Sequence, residues 1–441
     1  MRLAVLALAL AACRAEPYVA GELFEINDNG AWSWFMDERV VVYGGKLVVG
    51  SVRAVGDFDG GRTAADWGNV EVATYDLTTG ESARRVLFRR FEQDDHDNPS
   101  FLPTDTGLLA VYTKHRQDQN IYVQRSAPGD PLRWGEPDVV VSPRSTTGAH
   151  YATYSNLFRL PGGRIVNFYR GYDQDPNFYY SDDDGRTWTW GGRLIQGQNA
   201  YSPYLKYCQD RSGAIHFVAT EDHPQTFDNS LYHGVLVGDE LRASDGAVLA
   251  VLTGDTSVDL AIWDFTRVFQ GDADNVAWMN DIEVDDAGRP VVAFSLQKRG
   301  DPRDLRYGYA RWDGAAWRAR EFAYAGERLY ENERDYAGLA ALDPQRTDTV
   351  YFSSNADPQD GAPLISAADI RRHYELFRGV TADGGASWDI EPITRDSTVD
   401  NLRPLVPRWP DGGRTALVWM RGEYRHNRGE WTTAVVGVLL E

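Results

Sequence analysis

One unit recurs along this chain and limits what the chain can fold into: a short run of strand-forming residues, a polar turn, and a second such run. It appears as ERVVVYGGKLVVGSV (38–52), SFLPTDTGLLAVYTKH (100–115), SNLFRLPGGRIVNFYRG (155–171), PYLKYCQDRSGAIHFVAT (203–220), NDIEVDDAGRPVVAFSLQ (280–297), YAGLAALDPQRTDTVYFSS (336–354) and RPLVPRWPDGGRTALVWMRG (403–422). Each copy reads as a β-hairpin with a short turn, and each is followed by further strand-like sequence. A fixed period of this kind decides the architecture. Seven hairpins, each extended to four strands, predict an all-β, seven-bladed β-propeller filling the chain from about residue 30 to its end. The last copy has three strands of its own, ending in TTAVVGVLLE, so GELFEIND (21–28) is expected to supply the fourth and close the ring, removing free sheet edges.

A second signature repeats inside the first. SDDDGRTW (Ser181–Trp188) and TADGGASW (Thr381–Trp388) both fit Ser/Thr-x-Asp-x-Gly-x-Ser/Thr-Trp, the Asp box, with degraded relatives at Trp312–Trp317 and Ser126–Trp134. The Asp caps turn amides, the Gly supplies a positive φ and the Trp packs behind. Such boxes mark a fold and not a catalytic site. With 14 Trp, 23 Tyr and 42 Gly in 441 residues, composition also favours many short strands joined by tight turns.

The formal net charge of −20 argues against nucleic acid as a partner, since phosphate binding needs a basic face. An anionic ligand would then need a local basic island. The N-terminus carries one Arg and an apolar run from Leu3 to Ala12, too short to span a bilayer, which reads as an export signal. Leu10-Ala11-Ala12-Cys13 resembles a bacterial lipobox, in which Cys13 is lipidated after cleavage; the alternative is an ordinary signal peptide cut nearby. Residues 1–13 are therefore expected to be a leader and residues 20–441 a single propeller, exported as a monomer to the periplasm, outer membrane or cell surface, or secreted, with membrane contact only through the lipid.

In a propeller, residues just before the first strand and just after the second strand of a blade converge on one mouth. In the second blade these are His96, in Asp-Asp-His-Asp-Asn-Pro, and His115, closing Tyr-Thr-Lys-His. In the third they are Tyr154 and Arg170; the fourth offers Tyr201, Tyr204 and His223. The stretches DDHDNPSFL with TKH, TYSNLFRL with NFYRG, and PYLKY with IHF and EDHP resemble the propeller-fold ulvan lyases, Asp-box (BNR-repeat) polysaccharide lyases, over essentially the whole mature chain. The resemblance implies a lyase centre of His96, His115, Tyr154 and Arg170, with Tyr204 as a further substrate-binding residue. It also implies an ulvan-like anionic polysaccharide as partner, cleaved by β-elimination at its uronic acid.

The residue types suit that chemistry. Elimination needs the uronate carboxylate neutralised, a base for the C5 proton and an acid for the departing O4. Arg170 and a protonated His115 suit neutralisation, and His96 and Tyr154 suit proton transfer, with either one as base. Lys114, Arg116 and Arg403 could form the basic island for sulfate groups. Asp94, Asp95 and Asp97 read as a solvated, turn-capping run. No cofactor is expected for catalysis.

Pairing the fourth hairpin about its turn sets Cys208 opposite His216, and pairing the next strand sets His216 opposite His233. Three such ligands on one sheet face suit a structural zinc, with His223 or water as the fourth; a buried thiol beside two hydrogen-bonded histidines fits equally. Three other functions fit parts of the pattern: an exo-acting rhamnose–glucuronate hydrolase or lyase, a non-catalytic glycan-binding propeller, and a sialidase built on Arg39, Arg170 and Arg403.

Overall fold

The hairpin repeat closes into a ring. The computed structural model describes residues 15–54, 66–144, 151–197, 201–252, 258–409 and 414–440. The lipobox lies outside the described residues, as does the turn at 410–413. Seven antiparallel sheets run in chain order, beside two small two-stranded ones, so the architecture is the seven-bladed propeller. Five of the blades have four strands; in blade two Ser100–Thr104, Gly107–Thr113 and Asn120–Ala127 run outward from the axis, and both Asp130–Trp134 and Asp138–Val141 pair the third strand, making five. Helical structure among the described residues is limited to three short 3₁₀ turns, and none of it is long and apolar enough to cross a membrane.

The ring closes as its composition requires. Phe24–Asn27 pairs with Ala434–Leu440, adding an outer strand to blade seven, and Phe24 stacks on Tyr75 of blade one at 3.8 Å between ring centroids. Both Asp boxes lie between the third and fourth strands of their blades, three and six. In each, one Asp carboxylate takes two backbone N–H groups and two hydroxyls: Asp183 from Arg186 and Thr187 N–H at 3.1 and 2.8 Å and the Thr187 and Ser181 hydroxyls at 2.7 and 2.8 Å, Asp383 from Ala386 and Ser387 N–H, both at 2.9 Å, and the Ser387 and Thr381 hydroxyls at 2.7 and 2.9 Å. Gly185 and Gly385 hold the positive φ, at 79° and 93°. Their carbonyls accept the indole N–H of Trp188 and Trp388. The degraded relatives occupy the same third-to-fourth-strand turns of blades five and two.

One element has no counterpart in the repeat. The stretch Gly30–Arg39 threads the axis of the ring, where it meets almost every blade. Ala31 bridges Val52 of blade one, and Ser33 N–H donates to the Asp95 carbonyl at the threshold of blade two. The Asp37 carbonyl accepts from Leu157 N–H of blade three, its carboxylate holds Lys206 of blade four at 2.6 Å, and the Trp34 indole donates to the Met279 carbonyl of blade five. Arg403 of blade seven donates to the Trp32 carbonyl. Trp32, Trp34, Phe35 and Met36 are buried, packing the axis of the ring with side chains.

Candidate functional site

The mouth is built on local turn chemistry. Asp94 caps the 3₁₀ turn Asp95–Asp97 by accepting the His96 N–H at 3.0 Å, which fixes His96 immediately ahead of the first strand of blade two. His115 follows the second strand, its N–H on the Glu92 carboxylate at 2.9 Å. Tyr154 sits on a β-bulge in the first strand of blade three, at φ 65°, a conformation that re-aims its side chain. Arg170 ends the partner strand and faces Thr153.

These elements bring the expected residues together. The two imidazoles stack with centroids 4.0 Å apart, and both Nδ1 atoms reach Asp94, at 2.6 Å from His96 and 2.8 Å from His115. His96 also lies 2.9 Å from Asp95 and its ring is 5.7 Å from that of Tyr154. The Arg170 guanidinium lies 3.7 Å over the Tyr204 ring and 5.5 Å from the Tyr154 ring, and it donates to the Ser202 and Pro203 carbonyls. Phe35, from the axial segment, packs against both tyrosines from below. Tyr204, the further substrate-binding residue that the resemblance implies, is therefore in the group.

Two expectations about charge are corrected. Burial disfavours the His96 cation, but the carboxylates of Asp94 and Asp95 outweigh it and push its pKa up to about 10. Burial and the neighbouring His96 charge instead hold His115 below its ordinary value, against the pull of Asp94. Two stacked imidazolium ions would repel, so the pair carries one proton charge, on His96 and not on His115. The Asp94–Asp97 run is not solvated either. Asp94, Asp95 and Asp97 are all buried, and burial raises the Asp97 carboxyl well above the usual range, reinforced by Glu92, Asp94 and Asp95.

Arg403 does not belong to a basic island. It is buried against Asp95, the Tyr424 hydroxyl and the Trp32 carbonyl. Arg39 is likewise held on the Ser33 carbonyl beneath the mouth, so no trio of free arginines forms around a carboxylate. Lys114 and Arg116 do line a cleft of about 630 Å³, together with Asp94, His115, Phe91 and Tyr151. Of the four proposed centre residues only His115 opens directly to this cleft. Tyr154 and Arg170 lie deeper, with Tyr204, around a void of about 20 Å³.

On the opposite side of the mouth the sequence singled out His223 but not Glu333 or Asp335. The Nδ1 of His223 accepts the Gln225 N–H at 3.2 Å, so its proton is on Nε2, which faces the Tyr336 hydroxyl at 3.1 Å and the Glu333 carboxylate at 3.6 Å. Burial, with the Arg170 and His96 charges, pushes His223 down to about 4. Glu333 and Asp335 are pushed up to about 7 and about 6, burial being the main cause for both. The signal for them was positional only: the acidic stretch between blades five and six, ENERDY, exits onto the same face as His96.

The proposed zinc ligands lie elsewhere in blade four. Cys208 does face His216, but His216 faces Val235, and His233 faces Val218, two residues along from the expected partner. The two histidines still meet diagonally, with His216 Nδ1 3.1 Å from His233 Nε2. Cys208, His216 and His233 do not form a set whose ligand atoms all lie within 4.8 Å of one another, and His223, beyond the far end of the strand Ile215–Thr220, is not a fourth member. Among the described residues the trio that meets this spacing is Asp94, His96 and His115, whose ring nitrogens are already hydrogen-bonded to Asp94.

Comparison with known proteins agrees with this architecture. No curated protein sequence matches the chain. Among solved structures, the fold is similar to that of an ulvan lyase of polysaccharide lyase family PL25 bound to -[GlcA(1-4)Rha3S]-, with a TM-score of 0.65 at 13% identity over 96% of this chain and 98% of that one. It is also similar to the polysaccharide lyase Uly1, with a TM-score of 0.57 at 11% identity over 98% of this chain and 95% of that one. At such identities the likeness is one of fold. The model of the BNR repeat-containing family matches residues 64–325, more than half of the sequence, and the chain belongs to that family.

Proposed function

We propose that the protein is a polysaccharide lyase that cleaves an ulvan-type sulfated rhamnose–uronate polysaccharide by β-elimination. The observation that carries this reading is the pair of stacked histidines sharing one carboxylate, set beside Arg170 and Tyr154. The PL25 neighbour, bound to a glucuronate–rhamnose sulfate repeat, supports the substrate class.

The electrostatics favour a division of labour different from the one first expected. His96, held as a cation, joins Arg170 in offsetting the uronate carboxylate, which makes the C5–H acidic. His115 is neutral, and with Nδ1–H on Asp94 its Nε2 lone pair takes the C5 proton once the bound uronate carboxylate offsets the His96 charge that otherwise disfavours a second imidazolium; Asp94 orients the ring as the carboxylate of a histidine–aspartate dyad does. Burial, reinforced by Tyr204, raises Tyr154 well above its ordinary value, so it is a phenol and a donor. As the C4–O4 bond breaks and C4=C5 forms, Tyr154 delivers its proton to O4 and is reprotonated from His115.

Adding ulvan should produce the ultraviolet absorbance of unsaturated uronate ends. Tyr154→Phe, which deletes one hydroxyl, should lower that rate by roughly 10²–10⁴-fold with folding intact; an undiminished rate would make Tyr154 a structural residue and remove the mechanism. The raised carboxyls of Glu333 and Asp335 favour a second reading, the exo-acting hydrolase, which would release sugar with no unsaturated end. A glycan-binding propeller would do neither.

A further inference from the structure

The mouth has two unlike walls. Blades two and three contribute the His96 charge and Arg170, with Lys114 and Arg116 further out along the cleft. The facing wall, from the connection between blades five and six, contributes Glu333 and Asp335, with His223 of blade four beside them. The walls are close enough for the His96 charge to be felt at Glu333.

Glu333 is held but not satisfied. Its Oε2 is buried and has no hydrogen-bond partner, because the nearest donor, His223 Nε2–H, is 3.6 Å away and spent on the Tyr336 hydroxyl at 3.1 Å. Asp335, close by, is 2% exposed at the side chain, and neither of its carboxyl oxygens has a hydrogen-bond partner, the Arg334 guanidinium lying 3.8 Å from one of them. A buried acceptor without a donor is costly unless a ligand supplies one. The group that enters this mouth on the lyase reading has donors in the right place: a pyranuronate carries its carboxylate on C5 and its O2 and O3 hydroxyls on the far edge of the ring. Turning the carboxylate to His96 and Arg170 turns those hydroxyls to Glu333.

We propose that Glu333 is a specificity-determining residue that reads the hydroxyl edge of the bound uronate, accepting from a free ring hydroxyl and turning away a uronate sulfated at that position. This rests on the uronate orientation of the lyase reading. A sulfate ester there would bring a fixed negative charge against two desolvated carboxyl groups, an arrangement that discriminates by repulsion as well as by lost bonding. Sulfate on the neighbouring rhamnose would instead face the Lys114 and Arg116 side of the cleft.

The test compares ulvan with the same ulvan chemically over-sulfated on its free hydroxyls, using the full chain. Binding is read by calorimetry in the Tyr154→Phe variant and turnover by initial rates in the parent. The parent should prefer ulvan by ~10-fold or more, and Glu333→Ala should lose ~10-fold in kcat/KM on ulvan, the loss expected for one charged hydrogen bond. Glu333→Gln, which keeps the shape and an acceptor but not the charge, should hold KM for ulvan within about 3-fold while the preference falls towards one, and Glu333→Asp should retain it. A structural role would not separate affinity from preference in this way. An unchanged preference in Glu333→Gln, or unchanged ulvan kinetics in Glu333→Ala, would overturn the proposal. If the parent made no unsaturated ends the lyase reading would fall, and the binding arm would still decide on Glu333: a preference for ulvan abolished by Glu333→Gln upholds it, and no preference refutes it.

Discussion

Two histidine pairs lie in this chain at similar depth, and what sits beside each sets it apart. His96 and His115 stack over a carboxylate that reaches both Nδ1 atoms, with a second carboxylate 2.9 Å from His96. His216 and His233 contact each other directly at 3.1 Å, with Ser244 on the far nitrogen of His233 and the nearest carboxylate, Asp210, 3.7 Å from His216. The first pair therefore carries a charge at the mouth. In the second, burial and the neighbouring ring push His233 far below its ordinary value, so it is neutral. Burial is similar, and the difference lies in the immediate partners: His96 Nδ1 lies 2.6 and 2.9 Å from two carboxylates, whereas His233 meets an imidazole and a hydroxyl.

The largest effect should come from taking the anion away. Asp94→Asn removes the charge that binds both Nδ1 atoms, and turnover should fall by roughly 10²–10⁴-fold, as for loss of an essential acid or base. Asp210→Asn, beside the second pair, should leave turnover on ulvan close to the parent's. Equal losses at both positions would show that the pairs are not divided into a reacting and a structural one.

A smaller effect, on stability, should run the other way. His233→Ala strips partners from the buried Nδ1 of His216 and from the Ser244 hydroxyl, and should lower stability by about 2 kcal/mol in denaturant titration. Its initial rate below the melting range should match the parent's.

Acid and base should act on the two pairs with opposite sign. His96 binds its proton more tightly folded than unfolded, so its contribution is complete below the ordinary 6.5 and is lost as pH rises towards about 10. His233 is held neutral when folded, so its contribution is present above 6.5 and is lost as pH falls below it. The melting-temperature gap between parent and His96→Gln should therefore close on the alkaline side, and that between parent and His233→Gln on the acid side. Gaps that close on the same side would break the comparison.

What could be read from the sequence followed from turn chemistry and strand order. The seven hairpins, the two Asp boxes and the closing strand at Phe24–Asn27 depend on Gly, Asp and alternating apolar positions, which act over a few residues. The convergence of His96, His115, Tyr154, Arg170 and Tyr204 followed from their places at strand ends. Long-range packing was hidden. The axial run Trp32–Met36 has neither strand nor helix period, because it is satisfied by nearly every blade in turn and by no regular partner. The burial of Asp94 to Asp97 depends on that run capping the turn through Ser33, and Arg403 is consumed by Asp95 from the far side of the ring. Glu333 carries no local pattern at all, since the surroundings of its carboxylate include His223, more than a hundred residues away.

The smallest expected effect concerns zinc at the second pair. An N–N separation of 3.1 Å is close to that of two imidazoles on one tetrahedral ion, roughly 3.3 Å for bonds of about 2.0–2.1 Å. Cys208 is directly opposite His216 in the register and on the same face, but its thiol is outside ligand spacing of the two imidazoles together, so it must draw in to serve as a third ligand. Its thiol is held protonated by burial, so binding must release a proton and will strengthen with pH. Added zinc should raise the parent's melting temperature by a few degrees, more at alkaline than at acid pH, and a chelator should reverse the gain before turnover suffers. Cys208→Ser should abolish the gain and leave the first pair's activity intact. If zinc does not stabilise the parent at any pH, the second pair is a hydrogen-bonded structural contact, and the two pairs differ in their neighbouring anions alone.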